Sequence, residues 1–137
     1  MLSVLAKIHD EAGGLIGARY ALFNGDLGFI TAIELCFERM SAVFRANPDD
    51  DTLQVAIGSL SLDTTETVVD ATDSHFWSPC CGQSLSWAWR LTNQQGYTDG
   101  VRLEFNAPPE QRFSSVVELV VIASAIALHI SSPAVVA

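Results

Sequence analysis

The segment from Asp70 to Gly82, D-A-T-D-S-H-F-W-S-P-C-C-G, gathers residue types that ligate metals or move protons: His75, Cys80 and Cys81, with Asp70 and Asp73 beside them. An imidazole base, a thiolate and carboxylates are the parts of a small metal-dependent hydrolase. The spacing argues against that use. Structural zinc sites separate paired cysteines by about two to four residues so that both thiolates reach one ion, whereas adjacent cysteines in an extended chain point to opposite sides. His75 could serve as base to either thiol, but such partners meet in space, and nearness in sequence says little. A packed loop is the better reading, and no metal is expected.

Two other clusters could bind. Asp49-Asp50-Asp51 offers oxygens to a hard cation, yet it lacks alternate-position acids, a turn glycine and a closing glutamate, and after Asn47-Pro48 it reads as a solvated turn. The loop from Asn93 to Gly100 is longer than a hairpin requires. Asn93, Gln94, Gln95 and Asp99 supply directional donors and acceptors, and Tyr97 supplies an amphipathic ring, a combination suited to recognition. The plainer alternative is that Asn93 and Asp99 satisfy the loop's own backbone while Tyr97 packs on a tryptophan. Asn93, Gln94, Gln95, Tyr97 and Asp99, together with Asp49, Asp50 and Asp51, are the candidate binding residues.

Nothing else points to catalysis. There is no G-x-S-x-G elbow, phosphate-binding loop, dinucleotide fingerprint or H-E-x-x-H pair. His9 and His129 lie in apolar surroundings and read as packed residues. No cofactor is expected.

Charge narrows the partners. Sixteen acids against seven bases give a net charge of −9, and between Arg45 and Arg90 there is no Lys or Arg while seven acids accumulate. Nucleic-acid binding is disfavoured, because its affinity rests on cations neutralising phosphates. Cys36 reads as a small buried hydrophobe, and Cys80 and Cys81 could form only a strained vicinal bridge, so a reducing, cytoplasmic setting is expected. The start M-L-S-V-L-A-K lacks a positive n-region and has too short an apolar run for a signal core, so no export is expected, and the apolar run Leu119 to Ile130 is too short to span a bilayer.

These residues need elements to hold them. At 137 residues the chain reads as one domain, able to bury roughly two thirds of its unfolded surface. Leu2, Leu5, Ala6 and His9 fall at helical spacing before Gly13-Gly14. Alternation then predicts strands over Leu15 to Phe23, Phe29 to Glu38, Ala42 to Ala46 and Thr52 to Ile57. A short helix is possible over Thr65 to Ala71. The strongest local pattern is the hairpin Leu85 to Phe105, with Trp89 set opposite Leu103, Trp87 opposite Phe105, and Arg90 on the other face beside Arg102 and Glu104. Pro108-Pro109 forbids pairing, and Val116 to Ile130 closes the chain as one strand with a bend or bulge at Ala123-Ser124-Ala125. The expected fold is α+β: an antiparallel sheet of about six or seven strands, curled into a partly open roll, with a short N-terminal helix, or else a two-sheet sandwich. Trp87, Trp89, Leu103, Phe105, Phe37 and Ile122 are the expected core.

The block W-A-W-R-L-T-N-Q-Q-G-Y-T-D-G-V-R-L-E-F resembles the signature of a bacterial family of small, acidic, sheet-rich proteins of unknown function. The resemblance extends through Val116 to Ile130 and to N-P-D-D-D-T-L, and leaves the N-terminal helix outside. It implies no activity, cofactor or site. With catalytic motifs absent and charge of one sign, the leading expectation is a protein-binding module, in the manner of an acidic immunity-type inhibitor of a basic partner. The alternatives are the small hydrolase built on His75 and a homodimer paired through a strand edge or a tryptophan face.

Overall fold

A computed structural model describes residues 1–106 and 115–131, so the loop at Pro108-Pro109 lies outside the described residues. Among the described residues one α-helix, α1 (Leu2–Glu11), precedes nine strands: β1 (Leu15–Phe23), β2 (Ile30–Phe37), β3 (Ser41–Asn47), β4 (Thr52–Ile57), β5 (Glu66–Asp70), β6 (Ser84–Thr92), β7 (Thr98–Asn106), β8 (Ser115–Ile122) and β9 (Ala125–Ser131), with a 3-10 turn at Ser78–Cys80 before β6. They form two sheets, ordered β4-β3-β2-β1-β5 and β6-β7-β8-β9. Every neighbouring pair is antiparallel. The two-sheet alternative is therefore the architecture, with more strands than the six or seven expected.

One hydrophobic cluster joins the sheets. Ile33, Leu35 and Phe44 from the first sheet and Val101, Leu103, Phe105 and Leu119 from the second are all sealed from water. Phe105 stacks on Phe37 across the gap, with ring centroids 6.5 Å apart, and meets Trp77 edge-on. Trp77 comes from the connection between β5 and β6 and is fully buried; its indole N–H donates to the Tyr20 hydroxyl at 2.7 Å. That bond satisfies a donor that would otherwise cost about 1–3 kcal/mol to bury.

The extra strands arise where local sequence is ambiguous. T-E-T-V-V-D has β-branched residues but little alternation, and the expected helix over Thr65 to Ala71 is instead β5, recruited by the free edge of β1. Val116 to Ile130 is two strands, because Ala123 and Ser124 both take positive φ, 51° and 69°, and reverse the chain. Two consecutive left-handed residues make a tight hairpin turn, one usually written Asn-Gly.

The tryptophan hairpin forms, but its register differs. Leu85 pairs with Phe105 and Trp87 with Glu104, so Ser86 is an extra residue that turns everything after it to the opposite face. Ala88 then faces Leu103, while Trp87 and Trp89 lie outside at 63% and 44% exposure. Ile122, also expected inside, is exposed beside the new turn. The Arg102 guanidinium sits 5.4 Å over the Trp89 ring, a cation–π contact that steadies the outer face.

In α1 the inward face is Leu5, Ile8 and then Ala12, and Leu2, Ala6 and His9 turn outward. Gly13, at φ 78°, ends the helix in the left-handed conformation that glycine adopts without penalty. His9 is exposed and bonds its neighbour Asp10, and His129 is exposed on β9, so neither is a packed residue. An apolar run presents alternate positions to solvent once it becomes a strand, and His129 occupies one.

The register gives a direct test. Acrylamide should quench most of the wild-type indole emission, whereas Trp87→Phe/Trp89→Phe should leave only the shielded emission of Trp77, at a stability cost below about 1 kcal/mol. Wild-type emission resistant to quencher would put the tryptophans back inside.

Candidate functional site

The residues singled out by composition are brought to one end of the molecule by three turns. In the first, between β3 and β4, the Asn47 side chain accepts from the Asp49 amide at 3.0 Å and the Asn47 carbonyl accepts from the Asp51 amide at 2.9 Å. Asp50 accepts from the Thr52 amide and hydroxyl, at 3.1 and 2.6 Å. Asn, Pro and Asp make this turn because their short side chains bond the nearby backbone.

The second is the β6–β7 loop. Asn93 closes it: its side-chain oxygen accepts from the Gln95 and Tyr97 amides at 2.9 and 3.2 Å, and its own amide donates to the Tyr97 carbonyl. Asn93 thus has the structural role the plainer reading gave it. Tyr97 does not cover a tryptophan; its ring is half exposed. Gln94 is exposed.

The third turn, Ala123-Ser124 between β8 and β9, locks to the first. The Asp51 carboxylate accepts from the Ser124 amide at 2.9 Å and from its hydroxyl at 3.4 Å. Four described residues other than glycine have positive φ, and Asp51, Ala123 and Ser124 are three of them. Backbone of this kind costs on the order of 1 kcal/mol per residue and persists only where surroundings enforce it.

Between these turns opens a cleft of about 560 Å³, lined on one side by Asp49, Asp50 and Asp51 and on the other by Asn93, Gln95, Tyr97 and Asp99. Val121, Ile122 and Ala123 form its floor. Seven of the eight candidate binding residues therefore meet in one place, all but Gln94. Four carboxylates line the cleft, and among the described residues no Lys or Arg does. The cleft concentrates negative potential against an apolar floor, which strengthens its field relative to the same charges in open water.

A second cavity, about 310 Å³, lies across the β3–β4 turn and is lined by Phe23, Phe29, Arg45, Ala46, Pro48 and Glu66 among others. Glu66 is buried, yet its carboxylate accepts from Arg45 Nη1 at 2.8 Å, from the Thr31 hydroxyl and from the Asp63 amide at 3.1 Å. Burial pushes its pKa up, but these donors outweigh burial and hold it below the ordinary glutamate value. This site escaped sequence reading. The available signal was the pair of phenylalanines flanking N-G-D-L-G, whose rings meet at 5.2 Å.

The hydrolase residues are not assembled. Burial pushes the Cys80 thiol up to about 12, and burial together with Asp73 raises Cys81, so neither is poised as a thiolate. His75 lies tilted against the Phe76 ring, with centroids 4.0 Å apart. Cys36 is half-buried rather than sealed in the core. Among the described residues, no group of three or more His, Cys, Asp or Glu is placed to hold a metal ion. No described helix is long and apolar enough to cross a membrane.

A family model described as a family of unknown function, DUF6334, matches residues 15–135. The chain belongs to that family. No curated protein and no solved structure matches it. The DUF6334 match begins at β1, leaving α1 outside, and spans all three turns of the cleft.

Two measurements probe the site's construction. Asp51→Ala should cost about 1–3 kcal/mol and speed exchange of the Ser124 amide, while Asp51→Asn, which keeps an acceptor and tolerates positive φ, should cost much less. Equal losses would show that the bond to Ser124 contributes nothing. Glu66 has a folded pKa below its unfolded value near 4.5, so its contribution is present above that value and is lost as pH falls through the folded one. Glu66→Gln should therefore flatten the acid limb of the stability curve below about pH 4.5, and an unchanged limb would contradict the ion pair.

Proposed function

We propose that this protein is a non-catalytic binding module whose acidic cleft receives a basic segment of another protein. One observation carries the reading. Two loops on different sheets converge on one cleft lined by four carboxylates and, among the described residues, by no Lys or Arg. The Asp49 and Asp99 carboxylates bond no described residue, and Asp50 and Asp51 are engaged through one oxygen each. Donors from a partner can take the oxygens that remain. Arginine suits them best, because its planar fork bonds carboxylates in pairs while Gln95 and Tyr97 offer neutral bonds at the rim.

A field of one sign also speeds encounter with an oppositely charged partner and repels wrong ones. An inhibitor that must cap a basic toxin or nuclease before it acts benefits from both effects, which favours the immunity-type role over a housekeeping one. Self-association through the same cleft is disfavoured, because it would bring like charges together.

Affinity capture from lysate at low and high salt, with wild type beside Asp49→Asn/Asp50→Asn/Asp99→Asn, tests this. Asp51 is left intact so that the turn contact survives, and melting should confirm the variant's fold. A basic protein should be retained by wild type at low salt, released at high salt, and lost at least about tenfold by the variant. Capture indifferent to both salt and the substitutions would sink the electrostatic reading.

A further inference from the structure

The cavity beside Phe23 and Phe29 has a different character from the cleft. Its polar side is already satisfied: the Glu66 carboxylate holds three donors, and Arg45 divides its own between Glu66 and the Ser61 carbonyl, 2.7 Å away. No unpaired buried ion calls for a charged ligand. The apolar part of the lining is rings and aliphatic carbon, from Phe23, Phe29, Ala46 and Pro48, with Asp63 and Thr65 beside it. At about 310 Å³ the cavity sits at the low end for small-ligand sites, roughly 300–1,000 Å³, enough for a single ring system and too small for a nucleotide-sized cofactor.

Cavity and cleft share a wall. Pro48 faces the cavity while the adjoining Asp49, Asp50 and Asp51 face the cleft; on the opposing turn, Ser124 faces the cavity and Ala123 the cleft. The bonds from Asp51 to Ser124 hold the two halves of this wall together. Successive Cα atoms lie about 3.8 Å apart, so the two openings are within reach of one short segment. We propose that the cavity is the anchor pocket for an aromatic side chain of the same partner, placed about two to four residues from the basic residues that enter the cleft. This rests on the cleft binding a basic segment. The division of labour is physical: the carboxylates accelerate encounter, and ring burial of about 150–250 Å² slows release.

Amide shift mapping on the whole nitrogen-15-labelled protein tests it with three probes. These are N-acetyltryptophanamide, argininamide, and a capped peptide joining one tryptophan to two arginines through a glycine. The tryptophan probe should move the amides of Phe29, Ala46 and Thr65, and the arginine probe those of Asp50, Gln95 and Asp99. The peptide should move both sets and bind at least about tenfold tighter than either fragment, because the second contact becomes intramolecular. Phe29→Ala should abolish the tryptophan response and leave the arginine response intact. If that variant melts early, Thr65→Trp, which fills the mouth from an exposed position, takes its place. A tryptophan probe that leaves the cavity amides unmoved while argininamide still marks the cleft would overturn the anchor pocket and spare the proposed function. An occupied cavity beside a cleft silent to argininamide would instead remove the basic-segment reading and the shared partner with it.

Discussion

The Asp51 carboxylate, accepting from the amide and hydroxyl of Ser124, ties the end of the five-stranded sheet to the end of the four-stranded one. The core packs the two inner faces together, but apolar packing is non-directional and leaves the ends of a sandwich free to splay. A carboxylate accepting two donors is directional. It sets where the β3–β4 turn stands relative to the β8–β9 turn, and so sets the width of the cleft on one side and of the cavity on the other. Asp51 takes a left-handed φ of 54° in making the contact, so the aspartate shapes the turn as well as bonding across it.

The external field depends on where the cations go. Arg19 is bonded to buried Glu34 within the first sheet, and Arg45 to buried Glu66. Arg102 lies over Trp89 and 3.9 Å from Glu118, and Arg39 donates to the Glu11 carbonyl. The first two pairs offset a desolvation cost that either carboxylate alone could not bear. Most of the scarce basic side chains are therefore committed within the fold. Among the described residues no Lys or Arg lines the cleft beside its four carboxylates, so their charge is expressed outward there.

The sequence was legible where one pattern dominated. Alternation placed β1 to β4 closely, and the turn chemistry of Asn47 to Asp51 and of Asn93 to Gly100 marked both cleft loops. Three features escaped for distinct reasons. Ser86 has no signature that separates a bulge from a regular position, yet one extra residue sent Trp87 and Trp89 to solvent. Ala123-Ser124 carries no glycine or asparagine, so a hairpin passed for a bend within one strand. Thr65 to Ala71 became a strand because β1 had an unpaired edge, a tertiary fact invisible locally. The meeting of the two loops is tertiary as well. Composition could nominate Asp49 and Asp99 separately, but the hairpin at Ala123 that floors the space between them was itself hidden.

That hairpin bears on what the site is for. If Ala123-Ser124 served only to reverse the chain, Asn-Gly would do so at lower backbone cost, since an alanine in the left-handed region is disfavoured by on the order of 1 kcal/mol. Ser124 recovers its share through Asp51, whereas Ala123 bonds nothing there and presents its methyl to the cleft floor. A small apolar residue at that point adds no hydrogen-bonding side chain beneath four carboxylates, where a polar turn residue would place one. Strained backbone gathers where function fixes a shape that local energetics would not choose. Three of the four described residues other than glycine that take positive φ fall along the wall between cleft and cavity. The fold therefore concentrates its local backbone cost at the end where the three turns meet.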